Sequence, residues 1–379
     1  MSYWDQEELF FDGDTYFDRL IKDIEAAKSS ITVEMYTFND DLLGRKLAAH
    51  LVTAQIRDVK VQVIVDGVGS YNFYERLDGL LKRKGVQVRT YNPLPFIHPF
   101  YGQVKFTRRI EIFLLRFLRL NKRNHRKIIT IDENIMYTGS FNFAAEHTRF
   151  HHSSPWKDVG IRVSGEMVKY AVLNFKRNWK LREYYRYKKQ LAKISWSNWR
   201  NSPLRINQTL MMKRFFYKNF LNRIHRAEKR IWFVTPYFIP RRRIIRLLGK
   251  AAERGVDVRL LTTWKTDVKI FRALQFFYYP YLLSKGVKVF QYSDTVLHAK
   301  NYIIDDWMTV GSTNLNHRSL IHDLEVDLVL QSEENMKSLG DHFLEMTGKL
   351  EIVSMENMKA RTFTDKVITR LYFIFRYWL

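Results

Sequence analysis

Two stretches of this 379-residue chain hold the same chemistry-bearing residues at the same spacing. HRKIITIDENIMYTGSFNF carries His125, Lys127 and Asp132, then Gly139, Ser140 and Asn142. HAKNYIIDDWMTVGSTNLN carries His298, Lys300 and Asp305, then Gly311, Ser312 and Asn314. On a strand, residues i and i+2 point the same way, so each His-x-Lys is expected to present an imidazole and an ammonium on one face. The runs KIITID and NYIID are β-branched and apolar, as a buried strand requires. Gly-Ser-x-Asn then follows a second strand and returns polar donors to the same end of the sheet.

These residue types suit attack on a phosphodiester, an anion that resists nucleophiles. Lys127, Lys300, Asn142 and Asn314 would neutralise the equatorial oxygens as charge builds, with the Ser140 and Ser312 hydroxyls binding substrate. One histidine would attack phosphorus and carry the group covalently. The other would protonate the leaving alcohol and later deprotonate the incoming one. The scheme needs no metal and no cofactor. Each histidine needs an acceptor on its second ring nitrogen. Aligning WKDVGIRV with DLEVDLVL pairs Asp158 with Glu325, both at the start of the next strand, and assigns them as orienting carboxylates. Asp132 and Asp305 fall at strand ends and are expected to be structural, paired with a basic group. One such motif is a weak signal; two copies in the same repeat position are a strong one.

The elements that must position these residues are also written twice. A helical pattern leads into ITVEMYTF (Ile31 to Phe38) in the first half and into IWFVTPYF (Ile231 to Phe238) in the second, an offset of 200. Each strand is followed by a second helix and a β-rich run, VKVQVIVDG against VDVRLLTT. LLKRKGVQVRTYN then aligns with YLLSKGVKVFQYS, with Gly85 and Gly286 as helix C-caps before a strand. Alternating strands and helices predict two similar α/β lobes with a mostly parallel or mixed sheet. The first lobe is expected over 1–175, a basic, Trp- and Tyr-rich linker over 176–213 that packs on the lobes, and the second lobe over 214–379. The first lobe carries an insertion at 93–124.

Composition narrows the setting. The chain has 63 Lys+Arg against 39 Asp+Glu, a formal +24, so it is drawn to polyanions: nucleic acid or an anionic membrane surface. The absence of cysteine removes disulfides, Cys-ligated zinc and thiol nucleophiles. The acidic start MSYWDQEELFFDGD is no secretory signal, and no run of about 18 uncharged apolar residues predicts a membrane span.

With both motifs in view, the chain resembles the phospholipase D superfamily over almost its whole length. Within it the chain is most similar to bacterial cardiolipin synthases, on TPYFIP (Thr235 to Pro240), AAERGVDVRLL (Ala251 to Leu261), GSTNLNHRSL (Gly311 to Leu320) and HRKIITID with YTGSFN. Asp323-Leu324-Glu325 departs from the Asn-x-Glu common there but keeps the Glu. The resemblance implies two α-β-α sandwich lobes related by a pseudo-two-fold repeat, with the active site at their interface. It implies a metal-independent, two-step reaction through phosphohistidine, with His125 as nucleophile and His298 as acid/base. The implied activity is a phosphatidyltransferase making cardiolipin from phosphatidylglycerol and a second phospholipid; a small alcohol or a phospholipid head group is the acceptor. Many such synthases carry two N-terminal membrane spans. This chain shows none, which suggests the shorter type, peripheral on the cytoplasmic face of a bacterial inner membrane.

A phospholipase D-type hydrolase and a nuclease on the same fold are the rival readings. The insertion PFIHPFYGQVKFTRRIEIFLLRFLRLNKRN is basic, with apolar residues at helical spacing, and reads as a membrane-surface element. The tail KVITRLYFIFRYWL has interfacial character, or is a closing helix packed on the lobes. A nucleic-acid groove would favour separated stacking aromatics over IFLLRFL, so nucleic acid is the disfavoured partner.

Overall fold

The computed structural model describes residues 3–93, 122–150, 153–180, 200–266 and 269–374. The first half contains β1 (Gln6–Phe10), α1 (Gly13–Ala26), β2 (Ser30–Met35), α2 (Leu42–Ile56), β3 (Lys60–Asp66), α3 (Leu77–Arg83), β4 (Gln87–Tyr91), β5 (Lys127–Ile131), β6 (Ile135–Gly139), β7 (Gly160–Ser164) and α4 (Val168–Trp179). The second contains β8 (Leu204–Ile206), α5 (Leu210–Arg226), β9 (Arg230–Val234), α6 (Arg242–Glu253), β10 (Asp257–Lys265), α7 (Lys269–Ser284), β11 (Lys288–Val296), β12 (Asn301–Ile304), β13 (Trp307–Gly311), α8 (His317–Ile321), β14 (Val326–Val329) and α9 (Glu333–Gly348). Two further helices, α10 (Met355–Lys359) and α11 (Phe363–Ile374), close the described chain.

Each half forms a seven-stranded mixed sheet, and the two sheets share one topology. The orders are β1-β7-β6-β5-β2-β3-β4 and, written from the matching edge, β8-β14-β13-β12-β9-β10-β11. In each, only the last three strands run parallel to one another; all other pairings are antiparallel. The outer face of the first sheet is covered by α1, α2 and α3, whose Leu20, Ile24, Leu47, Leu51 and Leu81 bury against Ile31, Val33 and Ile129. The outer face of the second packs in the same way on α5, α6 and α7. The inner faces meet in one shared core, where Ile128, Met136 and Ile161 join Val234, Ile303, Val310 and Val326. That common core fixes the lobes against each other.

Local sequence explains the framing. Asp12 caps α1 by accepting from Asp14 and Thr15, and Thr209 caps α5 by accepting from Met212. Gly85 and Gly286 take φ of 86° and 85°, the left-handed conformation that ends a helix before β4 and β11. The lobe boundaries differ from the sequence reading. The region expected as linker donates its first residues to α4 and Leu204–Ile206 to the second sheet, where β8 pairs with β14 as β1 pairs with β7. A three-residue edge strand gives too little alternation to be read. Residues 94–121, most of the basic insertion, lie outside the described residues, as do 181–199 and 375–379. In α11, Phe373 stacks on Phe277 of α7 at 3.9 Å, while Leu371 and Tyr372 are exposed. Among the described residues, no helix is long and apolar enough to cross a membrane.

Candidate active site

Both histidines precede a strand rather than lie on it, His125 by two residues and His298 by three. β5 begins at Lys127 and β12 at Asn301, so the two-residue strand rule does not place His125 and His298. Bonds from the opposite lobe do. The His125 N–H donates to the Leu324 carbonyl at 2.9 Å, and the Leu324 N–H to Arg123 at 2.9 Å. The His298 N–H donates to the Lys157 carbonyl at 2.7 Å, and the Lys157 N–H to Val296 at 2.8 Å. Residues 324 and 157 immediately precede the two carboxylates. The side chains therefore pair across the interface. His125 Nδ1 lies 3.0 and 3.1 Å from the oxygens of Glu325, and His298 Nδ1 lies 2.8 Å from Asp158 Oδ1. Neither lobe alone supplies a histidine and its acceptor. With Nδ1 as donor, each Nε2 keeps its lone pair for chemistry.

Lys127 and Lys300 are buried, and each returns to the carbonyl of its own histidine; Lys127 Nζ does so at 2.8 Å. Burial brings Lys127 down to about 8, against the pull of Glu325 and Asp158. Asn142 and Asn314 are buried, and each Oδ1 has no hydrogen-bond partner among the described residues. A free Oδ1 can only accept, from a donor such as a hydroxyl, so any hold on an anionic oxygen falls to the Nδ2 hydrogens.

Two groups of motif residues make bonds that the sequence reading did not assign. The Ser140 hydroxyl is engaged with backbone: it donates to the Val159 carbonyl at 3.1 Å and accepts from the Val159 N–H at 3.0 Å. Ser312 holds Val326 in the same way and also donates to Glu325. Both serines stitch the motif loop to the strand bearing the carboxylate. Gly139 and Gly311 permit that approach, because a Cβ would lie 2.4 Å from Val159 O at one and 2.1 Å from the Asp327 carboxylate at the other. Asp132 and Asp305 pair with backbone rather than with a basic side chain. Asp132 accepts from the N–H groups of Lys28, Ser29 and Ser30, and Asp305 from those of Glu228, Lys229 and Arg230. They tie the turn after β5 or β12 to the turn before β2 or β9.

The sequence reading also missed three residues. His147 donates from Nδ1 to the other oxygen of Asp158 at 2.7 Å. Ser319 lies near Glu325 in the second half-site and helps to hold its carboxyl down against burial. His147 and Ser319 both stand five residues after the motif asparagine, a match hidden by their different types. Arg126, fully buried, bonds the Asn207 carbonyl at 3.2 Å and Gln208 Oε1 at 2.6 Å, and so braces the first motif against the second lobe. Ala299 stands at the matching place.

The electrostatics of the half-sites diverge. Burial opposes ionisation of Asp158, but His298 and His147 overcome it and hold the carboxyl well below its ordinary range. Burial pushes Glu325 up to about 7, with Lys127 and Ser312 opposing. Burial, then the neighbouring lysines, depresses both histidines, which favours neutral imidazoles. Lys300 of one lobe acts on His125 of the other, and Asp158 on Lys127, so the half-sites form one electrostatic unit. His147, Asp158 and His298 are the one group among the described residues whose donor atoms lie close enough for a metal ion, within 4.8 Å of one another. Their Nδ1 atoms are already paired with the two carboxylate oxygens, which leaves a cation no facing lone pair without rearrangement.

The chain is similar to known proteins in sequence and in fold. The family described as cardiolipin synthase, PLD-like domain, matches residues 20–179 and 220–347. Cardiolipin synthase B of Escherichia coli K12 is 30% identical over 350 residues, covering 88% of this chain and 78% of its own. Cardiolipin synthase B of Salmonella typhi is 29% identical over 342 residues, covering 89% and 79%. Among solved structures, phosphatidylserine synthase of Haemophilus influenzae shares the fold with a TM-score of 0.68 at 13% identity, over 98% of this chain and 93% of its own.

Proposed function

Because this chain belongs to the phospholipase-D-like family of cardiolipin synthases, we propose that it is a phosphatidyltransferase that makes cardiolipin from phosphatidylglycerol and a second phospholipid through a phosphohistidine. The carrying observation is the crossed pairing of His125 with Glu325 and His298 with Asp158, which gives one site two oriented imidazoles. In the first step Nε2 of one histidine attacks phosphorus and the P–O bond to the head-group alcohol breaks. The other histidine supplies the proton to that alcohol. In the second, the acceptor hydroxyl yields its proton to the same histidine, and its oxygen displaces the first from phosphorus. Lys127, Lys300, Asn142 and Asn314 hold the phosphoryl oxygens as charge develops.

The carboxylates support His125 as the nucleophile. A nucleophile needs a lone pair, and Glu325, pushed up to about 7, offers His125 only a partial negative charge. An acid needs a proton, and ionised Asp158 favours one on His298. A bound phosphodiester would add a second anion and offset Lys300. The exposed Leu371 and Tyr372 of α11 support a peripheral membrane location.

Product analysis by mass spectrometry tests this reading. The protein is given phosphatidylglycerol vesicles, with and without phosphatidylethanolamine, beside single-stranded DNA. Cardiolipin with released glycerol or ethanolamine is expected. Phosphatidic acid alone would mean a hydrolase, and shortened DNA beside untouched lipid would mean a nuclease.

A further inference from the structure

We propose that His147 is a positioning residue of the His298 half-site: by donating to the second oxygen of Asp158, it sets how strongly that carboxylate holds the His298 proton. The proposal rests on the reading of His298 as the acid/base. Its ground is geometric. Asp158 divides its oxygens between two imidazoles, His298 Nδ1 at 2.8 Å and His147 Nδ1 at 2.7 Å, and all three residues are buried. Trp156 lies against both rings, with centroids 5.4 Å from each. The loop is firmly seated, because Gly13 of α1 comes so close to the His147 carbonyl that a Cβ there would lie 1.9 Å from it.

The opposite half-site also places a polar side chain here. Ser319, at the equivalent position, sets its hydroxyl near Glu325. The short carboxylate faces the long side chain and the long carboxylate the short one. The His147 imidazole differs from a hydroxyl in holding its donor in the plane of a rigid ring. The charged and titratable groups facing it are Asp158 and His298, with Lys300 acting on His298 and Lys127 coupled to Asp158 from the first motif. A hydrogen bond to one oxygen draws negative charge away from the other, so losing it strengthens Asp158 as the partner of imidazolium at His298.

The test is the His298 titration, followed by NMR on the full chain labelled with ¹⁵N-histidine, with inorganic phosphate present. His147→Phe should raise the titration by on the order of one pH unit, and the alkaline limb of kcat should move with it. His147→Asn, whose amide can donate at about the Nδ1 position, should restore the wild-type curve. If circular dichroism shows His147→Phe unfolded, His147→Ser provides the same readout. Superimposable wild-type and His147→Phe curves would overturn the proposal, as would an equal shift in His147→Asn. The titration needs no lipid. A chain that fails to turn over phosphatidylglycerol would sink the transferase reading while leaving the role of His147 decidable.

Discussion

In the His298 half-site a short carboxylate, Asp158, meets two imidazoles; in the His125 half-site a long one, Glu325, meets one imidazole and the hydroxyls of Ser312 and Ser319. The backbones that carry them follow the same topology, and each histidine is fixed by the same kind of cross-lobe bond. The divergence is therefore in the side chains. Two imidazoles stabilise negative charge on Asp158 better than neutral hydroxyls do on Glu325. A duplicated frame has thus been given two proton affinities, which is what a reaction with one nucleophile and one acid/base requires.

The strongest way to break this comparison is to remove each histidine. His125→Ala should lower turnover by roughly 10⁵–10⁶-fold, as loss of a covalent nucleophile does. His298→Ala should cost less, on the order of 10²–10⁴-fold, because only proton transfer is lost. Rapid-quench trapping of the phosphoryl group from ³²P-labelled lipid decides the order, and label on His298 in wild type would reverse the roles. Next in size, Asn142→Ala and Asn314→Ala should each lower kcat by about 10²-fold with little change in KM, as loss of one charge-stabilising donor does. A change confined to KM would make them binding groups instead.

The carboxylates should respond with opposite signs. Asp158 has a depressed pKa in the folded chain, so it contributes stability above its unfolded value and loses it as pH falls. Asp158→Asn should destabilise at pH 7 by about 3 kcal/mol, with two buried imidazoles losing a charged partner. Glu325 moves from 4.5 up to about 7, so its ionisation opposes folding, with a penalty that is absent below 4.5 and full above 7. Glu325→Gln should remove at most about 3 kcal/mol of that penalty. Relative to wild type it should gain stability between pH 5 and pH 8. Urea melts at the two pH values check both, and parallel behaviour of the variants would erase the asymmetry.

Much of this site was legible because the chemistry is duplicated. The helix–strand alternation around Ile31 and Ile231 revealed both lobes, and the paired motifs identified the histidines, lysines and asparagines. Repeat alignment also paired Asp158 with Glu325. It could not show that each serves the histidine of the other lobe, because an alignment orders residues within a repeat and carries no contact between repeats. The backbone bonds of the serines were hidden for a different reason. A hydroxyl in a motif loop reads as a ligand, whereas the close approach allowed by Gly139 and Gly311 commits it to the next strand. His147 and Ser319 were hidden because equivalence of place had no echo in residue type.

The smallest expected effect tests whether the motif aspartates stand apart from this chemistry. Asp132 and Asp305 each accept three backbone N–H bonds across two turns, and Asp132 also accepts from the Ser29 hydroxyl at 2.8 Å. Both are depressed: partial burial opposes ionisation, and the backbone bonds outweigh it. Their contribution should therefore be present above the unfolded carboxyl value and fade as pH falls through the folded one. Asp132→Ala and Asp305→Ala should each cost on the order of 1 kcal/mol at pH 7, as loss of a capping acceptor does, with Asp132→Ala the larger because of Ser29. The deficit should narrow in acid, and kcat of the folded fraction should stay at wild type. A fall in kcat without a fall in stability would move these residues from the frame into the reaction, and the two half-sites would then differ in more than their carboxylates.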